Sequence, residues 1–412
     1  MQIDSSDLLE RFLSYVRIDT RADADCPDCP SSPVQWDLLR KLADELRSLG
    51  LKDVVLTDKA YVLATLPSNT SKRVPTLAWC GHADTATNLP SAAKPIVHRT
   101  YDGGTITLPD DPSKTLSPSS SKHLGACLGH DIITASGKTL LGADDKAGVA
   151  IVVAAIRHLL QHPEIKHGDI RICFNPDEEI GRGMTALDLP QLKADFAYTL
   201  DGDIPGEINY ETFSADGAVI DIQGIASHPG AAKDIMVNAL RIAGRILAAL
   251  PLDKAPENTE DRQGFLHPHT LTGTSEQAQI RFILRDFELA GLAGHGELLK
   301  RIVAEEQRRE PRARITLTIK EQYRNMRYWL EKDMRPVDFA KEAYTRAGLK
   351  PHFSSIRGGT DGSNLTARGL PCPNLFTGMQ EIHSEREWVS LQDMSKAVET
   401  LIHLAQVWEE RS

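Results

Sequence analysis

Two histidines and five carboxylates stand where they could act together. They are His82 and Asp84 in Gly81-His82-Ala83-Asp84-Thr85, Asp144 in an Asp144-Asp145 pair, Glu178 and Glu179 in Pro176-Asp177-Glu178-Glu179, Asp201 in Thr199-Leu200-Asp201-Gly202, and His383. Imidazole and carboxylate make a nitrogen and oxygen donor set that suits Zn²⁺, with Mn²⁺ or Co²⁺ as alternatives. A closed structural zinc site is typically rich in cysteine and is satisfied by four donors. Here the candidates exceed four and include no cysteine, which fits a two-metal hydrolytic centre. In such a centre two cations about 3.5–4 Å apart share a carboxylate and a water, and the water's pKa falls from 15.7 towards about 7. A base must still take the water's proton and deliver it to the leaving amine. The adjacent Glu178 and Glu179 allow that division, one binding metal and the other staying free as the base.

Singly, each piece has an ordinary reading: an incidental His-x-Asp, a helix N-terminus at Asp144-Asp145, a solvated Glu-Glu pair. What sets them apart is position. Residues 76–80, 169–174, 196–200 and 374–376 are short apolar runs that read as buried strands, each followed at once by polar, chemically capable residues. Residues 146–160 read as an apolar helix with Asp144 and Asp145 at its N-terminal edge, where carboxylates are favoured. Residues 7–16 and 34–49 show apolar positions at helical spacing, the second ending at Gly50 as a C-terminal cap. Ligands of open α/β sheets bind beyond the carboxyl ends of the strands, so loops at these positions can converge on one rim.

The alternation of strand and helix predicts an α/β domain, a mixed sheet flanked by helices. Residues 103–125, rich in Pro, Ser, Asp and Gly, read as a long ordered loop or hairpin. From about Tyr210 the pattern changes to strand 218–222, helix 236–250, strand 279–284, helix 292–309 and strand 315–319. That order predicts a smaller inserted α+β lid domain over 210–323, between catalytic segments 1–209 and 324–412.

Composition removes several classes of function. The chain has 412 residues, 41% hydrophobic and 25% charged, which is ordinary globular usage. Asp and Glu total 57 against 47 Lys and Arg, a net charge of −10 that argues against nucleic-acid binding. No apolar run reaches the roughly 18–20 residues of a membrane span. The N-terminus lacks the apolar stretch of a signal peptide, and six scattered cysteines do not make a disulfide framework. A cytoplasmic protein with no membrane partner is expected.

Those motifs, with Leu141-Gly142-Ala143-Asp144-Asp145-Lys146-Ala147-Gly148 and Arg357-Gly358-Gly359-Thr360-Asp361-Gly362, closely resemble the peptidase T family. Its members are tripeptide aminopeptidases of the di-zinc aminoacylase and carboxypeptidase superfamily. The resemblance runs from Leu8-Leu9-Glu10-Arg11-Phe12-Leu13 to Leu370-Pro371-Cys372-Pro373-Asn374. It implies two zinc ions per chain, His82 and Asp201 on one, Glu179 and His383 on the other, and Asp144 bridging them. It implies Asp84 orienting His82, Glu178 as general base and acid, and a cis peptide between Asp144 and Asp145. It also makes His228, in Ala226-Ser227-His228-Pro229-Gly230, an oxyanion stabiliser, in relatives often reaching from a partner subunit, which leaves a homodimer open. Arg357 would read the peptide's terminal carboxylate. From the residues alone, His228 reads as a turn before proline and Arg357 as a surface residue beside a tight turn.

The sequence departs from the family at Cys26-Pro27-Asp28-Cys29, at Asp203 and at Gln380-Glu381-Ile382. The two cysteines are expected to be reduced loop thiols, since no second closely spaced pair exists. The extra acid near the site makes substrate preference the least fixed property. A short peptide, above all a tripeptide losing its N-terminal residue, is the expected substrate. A dipeptidase, an N-acyl amino acid deacylase and a non-catalytic peptide-binding homologue are the competing readings. The glycine-rich loop at Arg357 lacks the Lys-Ser/Thr ending of a phosphate cradle.

Overall fold

The structure is a computed structural model that describes every residue except Gln2. The chain divides into two compact units. The first comprises Met1–Tyr210, Tyr328–Ser354 and Thr360–Ser412, and the second Glu211–Arg327 and Ser355–Gly359.

The first unit is built on an eight-stranded sheet in the order Lys52–Leu56, Val62–Leu66, Ile170–Asn175, Leu77–His82, Phe196–Gly202, Asn374–Phe376, Glu207–Thr212, His352–Ile356. Its middle four strands, from Ile170–Asn175 to Asn374–Phe376, run parallel, while the next strand on each side pairs antiparallel. Strands covered on both faces should be apolar throughout rather than alternating. Leu77–His82 and Ile170–Asn175 are buried at every position. Helices Ser5–Val16, Gln35–Ser48, Ala143–Gln161 and Leu391–Glu410 supply apolar residues to the same core. Two large polar rings caught inside bond in series: Trp408 Nε1 donates to Tyr198 Oη at 2.8 Å, and Tyr198 Oη donates to the Pro336 carbonyl at 3.0 Å. The proline- and serine-rich stretch forms a short hairpin, Ile106–Thr107 with Thr115–Leu116, then the 3₁₀ turn Lys122–Ala126.

The second unit is an α+β layer. Its antiparallel sheet has the order Phe265–Gly273, Gln277–Asp286, Ser214–Gln223, Arg314–Tyr323. Alternation decides which face is buried: Ala218, Ile220 and Ile222 pair with Phe282, Ile280 and Ala278 and enter one core with helices Ala239–Ala248 and Leu289–Arg309. The strand Phe265–Gly273 carries Pro268 and His267, poor strand signals. It lies at the sheet edge with an irregular register between Pro268 and Thr270, where a missing N–H is tolerated.

Candidate metal centre

The four parallel strands end on one side, and the expected residues gather there. His82 closes Leu77–His82, and Asp201 lies next to last in Phe196–Gly202. Glu178 and Glu179 open a 3₁₀ turn that starts three residues after the end of Ile170–Asn175. Asp144 heads the helix Ala143–Gln161, but it and Asp145 have non-helical backbone angles, and the peptide joining them is cis. Gly142 before them sits at φ +76, a left-handed conformation suited to glycine. The helix can seat against the strands because Gly148 has no side chain, since a Cβ there would lie 2.0 Å from the Leu200 carbonyl oxygen.

Asp144 is the hub. Its Oδ1 lies 3.0 Å from His82 Nε2 and its Oδ2 lies 3.1 Å from His383 Nε2. Glu179 Oε2 is 2.8 Å from the same His383 nitrogen, and Asp201 Oδ1 is 3.7 Å from His82 Nε2. Two donor groups result, His82 with Asp144 and Asp201, and Asp144 with Glu179 and His383, sharing Asp144. Glu178 Oε2 stands 3.9 Å from His82 Nε2. His82 is almost wholly buried, whereas the His383 side chain is 47% exposed, so the centre is open on the His383 side.

Asp84, completely buried, does more than face one imidazole. Its carboxylate Oδ1 lies 3.4 Å from His82 Nδ1, and its backbone carbonyl lies 3.2 Å from that nitrogen. The same carboxylate accepts the backbone N–H groups of Glu178 at 3.0 Å and Glu179 at 3.1 Å. One side chain therefore fixes a ring and the loop carrying both glutamates.

The charge balance tests whether cations fit here. Burial, reinforced by the Asp144 charge, pushes Glu179 up to about 8 and Asp201 up to about 6. Burial also raises Glu178 well above the usual carboxyl range, with Asp201, Asp361 and Glu179 adding to it. Burial opposes a charged His82, yet Asp144, Asp201 and Asp84 outweigh it and raise that ring; Asp144 and Glu179 hold His383 up at about 10. Asp144 itself is lowered, because the two imidazoles outweigh its burial. Among the described residues the ion-pair partners of Asp144, Asp201, Glu178 and Glu179 are these two rings alone. Converging buried carboxylates with so little fixed positive charge, around one carboxylate whose two oxygens face different imidazoles, form a donor set that fits a pair of divalent cations.

His228 and Arg357 belong to the second unit. His228 sits on an exposed turn, its Nδ1 accepting the Gly230 N–H at 3.2 Å. The Arg357 guanidinium donates to the carbonyls of Asp261 at 2.7 Å and Gln263 at 2.9 Å and to Thr259 Oγ1 at 3.0 Å, and it lies over the rings of Phe213 and Phe265. It is a working part of that unit rather than a loose surface residue. Cys26 and Cys29 are free thiols of intermediate exposure.

Comparison with known proteins gives the family. The profile of peptidase family M20/M25/M40 matches residues 139–407. The chain is 44% identical to peptidase T of Bacillus subtilis (strain 168), over 98% of both chains. It is 43% identical to peptidase T of Geobacillus kaustophilus (strain HTA426), over 98% of this chain and 99% of that one. The chain belongs to peptidase family M20. Its fold is also that of aminopeptidase PepT from Bacillus cereus ATCC 10987, with a TM-score of 0.76 at 23% identity over 99% of each chain. A tripeptidase from Staphylococcus aureus superposes with a TM-score of 0.78 at 21% identity over the whole of both chains. The YXEP protein of Bacillus subtilis, a dinuclear metal-binding M20 peptidase, gives 0.66 at 15% identity over 98% of each.

In this M20 chain several residues that position the centre escaped the sequence reading. Glu387 accepts the backbone N–H groups of Gly142 at 2.8 Å and Asp144 at 3.0 Å, holding the turn that aims Asp144. Asp145 accepts from the backbone of His82 and of Gly148, both at 3.1 Å, tying strand end to helix. Asn374 Oδ1 accepts the Asp201 N–H at 3.0 Å. Asp177, in a left-handed conformation, accepts from Ser31 Oγ at 2.5 Å and Gln35 Nε2 at 2.8 Å. Asp145 and Asp177 carried a signal, their places beside Asp144 and Glu178; Glu387 and Asn374 act through contacts between distant parts of the chain.

Proposed function

We propose that this chain is a two-metal aminopeptidase that releases the N-terminal residue of tripeptides. The observation that supports this most is Asp144, whose two carboxylate oxygens face different imidazoles at 3.0 and 3.1 Å. In this reading His82 and Asp201 would hold one cation, Glu179 and His383 the other, and Asp144 would serve both. The pair, Zn²⁺ with Mn²⁺ or Co²⁺ as alternatives, would polarise the scissile carbonyl and lower the pKa of a water beside it.

The remaining work falls to side chains. Glu178 takes the proton of the attacking water on a carboxylate oxygen and returns it to the leaving amine nitrogen. Burial raises its pKa, the direction needed by a group that must both accept and give a proton. Asp84 keeps Glu178 in reach by binding its backbone N–H, and holds His82 so that Nε2 faces the centre. His228 would donate to the carbonyl oxygen as it gains charge. Arg357, anchored through Thr259, Asp261 and Gln263, would meet the peptide's terminal carboxylate. Cytoplasmic location and a homodimer belong to the same proposal, testable by fractionation and by mass in solution. No helix among the described residues is long and apolar enough to cross a membrane.

The test is a panel of unblocked tripeptides, dipeptides and N-acetyl amino acids, with and without chelator. Chelator-sensitive release of the first residue from tripeptides is expected. Cleavage confined to dipeptides or acyl amino acids would move the reading to those substrates.

A further inference from the structure

We infer that His123, Cys127 and Asp393 form a separate site for a single zinc ion. His123 Nε2 lies 2.8 Å from Asp393 Oδ2, and Cys127 Sγ lies 3.9 Å from the same oxygen. His130 Nδ1 stands 3.9 Å from the other oxygen, Oδ1. The donor atoms of His123, Cys127 and Asp393 all fall within 4.8 Å of one another, and this group shares no residue with the two groups around Asp144. Tetrahedral zinc, about 2.0–2.1 Å from nitrogen or oxygen and about 2.3 Å from sulfur, sets its donors roughly 3.3–3.6 Å apart. The observed 2.8 and 3.9 Å gaps straddle that spacing, so side-chain adjustments of about 1 Å would bring these three donors onto one ion.

A histidine–aspartate hydrogen bond alone would account for His123 and Asp393. Cys127 Sγ adds a third donor atom: the thiol donates to the His123 carbonyl at 3.4 Å and stands 3.9 Å from Asp393 Oδ2, whereas His130 Nδ1 is taken by Ser390 Oγ at 2.8 Å. Cys127 is completely buried and Asp393 is 6% exposed, whereas His123 and His130 reach solvent, which gives an ion a way in. One thiolate, one imidazole and one carboxylate are donor types that zinc takes, and water can complete a four-coordinate shell.

The fold brings these residues together firmly. His123 lies in the 3₁₀ turn Lys122–Ala126 and Cys127 follows it. His130 precedes the strand Ile132–Thr134, which pairs with Trp388–Ser390 through Ile132 opposite Ser390. Ser390 then caps the helix Leu391–Glu410, whose first turn holds Asp393, and it also bonds His130 Nδ1 at 2.8 Å. The Trp388 ring stacks on His123 at 6.0 Å. An ion here would clamp the 3₁₀ turn to the helix start, a structural role apart from peptide cleavage.

Cobalt(II) is the probe, because a thiolate ligand gives a sulfur-to-cobalt charge-transfer band that the oxygen and nitrogen donors around Asp144 cannot give. The reduced protein, titrated with cobalt(II), should develop that band to saturation by about three equivalents per chain, one for this site and two for the centre around Asp144. The band should vanish in Cys127→Ser and weaken in His123→Ala, and persist in a Cys26→Ser/Cys29→Ser double variant. Tripeptide turnover should be unchanged in Cys127→Ser, while the rise in Tm on adding zinc should be smaller than in the unaltered protein. No thiolate band in the unaltered protein, a band that survives Cys127→Ser, or one lost with Cys26 and Cys29 would overturn the site.

Discussion

Two clusters of buried charge, one in each unit, show how the partner of a carboxylate decides what it does. In the second unit Glu211 is held by guanidinium groups: Arg262 donates from both terminal nitrogens, one to Oε1 at 2.9 Å, and Arg327 Nη1 lies 3.2 Å from Oε1. Burial alone would raise Glu211, but Arg262 and Ser355 more than reverse this and its pKa falls below the ordinary value. In the first unit burial prevails, and Glu179 and Asp201 rise to about 8 and about 6. Arginine is always charged and supplies a fork of donors, so the Glu211 cluster is complete as it stands. The Asp144 cluster is complete only with added positive charge.

Breaking the hub should have the largest effect. Asp144→Asn keeps the side-chain shape but removes the charge both donor groups share, so both cations and all detectable tripeptide cleavage should be lost. Metal analysis beside the assay checks this; retained cations would separate Asp144 from the centre. Glu178→Gln should leave both cations bound and lower kcat about 10²–10⁴-fold, the usual contribution of a positioned acid–base group. If kcat stays unchanged, the proton passes through another residue.

Glu387→Gln sharpens the contrast, because the Glu387 carboxylate accepts from the backbone that aims Asp144. Replacing one acceptor oxygen by an NH₂ group leaves a buried N–H unpaired, costing about 1–3 kcal/mol. Metal affinity should fall roughly 10–100-fold, as when outer partners of metal ligands are altered. Unaltered affinity would show that Asp144 is aimed without it.

How far these residues could be read from sequence follows from how they are held. His82, Asp144, Glu179 and Asp201 sit directly at strand ends or a helix start, so local pattern located them. Glu387 lies among ordinary charged residues and matters only because distant chain comes back to Gly142 and Asp144. Likewise Cys127 looked solitary, since its neighbours Asp393 and His130 are gathered by strand pairing rather than by spacing. Arg357 resembled a free surface arginine because its carbonyl partners, at Asp261 and Gln263, leave no trace in side-chain chemistry. The edge strand Phe265–Gly273 was missed because Pro268 breaks the strand pattern.

The smallest effect concerns the complete cluster. The pKa of Glu211 is lowered on folding, so the stability it contributes is fully present above the unfolded value near 4.3 and is lost as pH falls through the lower folded value. Glu211→Gln should therefore lower Tm at pH 7, and the difference from the unaltered protein should shrink below about pH 4. A Tm difference that is constant with pH would mean the guanidinium partners are not what stabilises Glu211.

The most direct test of the central claim is stepwise return of zinc to metal-free Cys127→Ser protein, following release of the first residue from a tripeptide. That background removes the thiol cluster from the count. The account predicts no release without metal and full activity at about two equivalents per chain. Full activity in the metal-free protein, or saturation at a single equivalent, would contradict it.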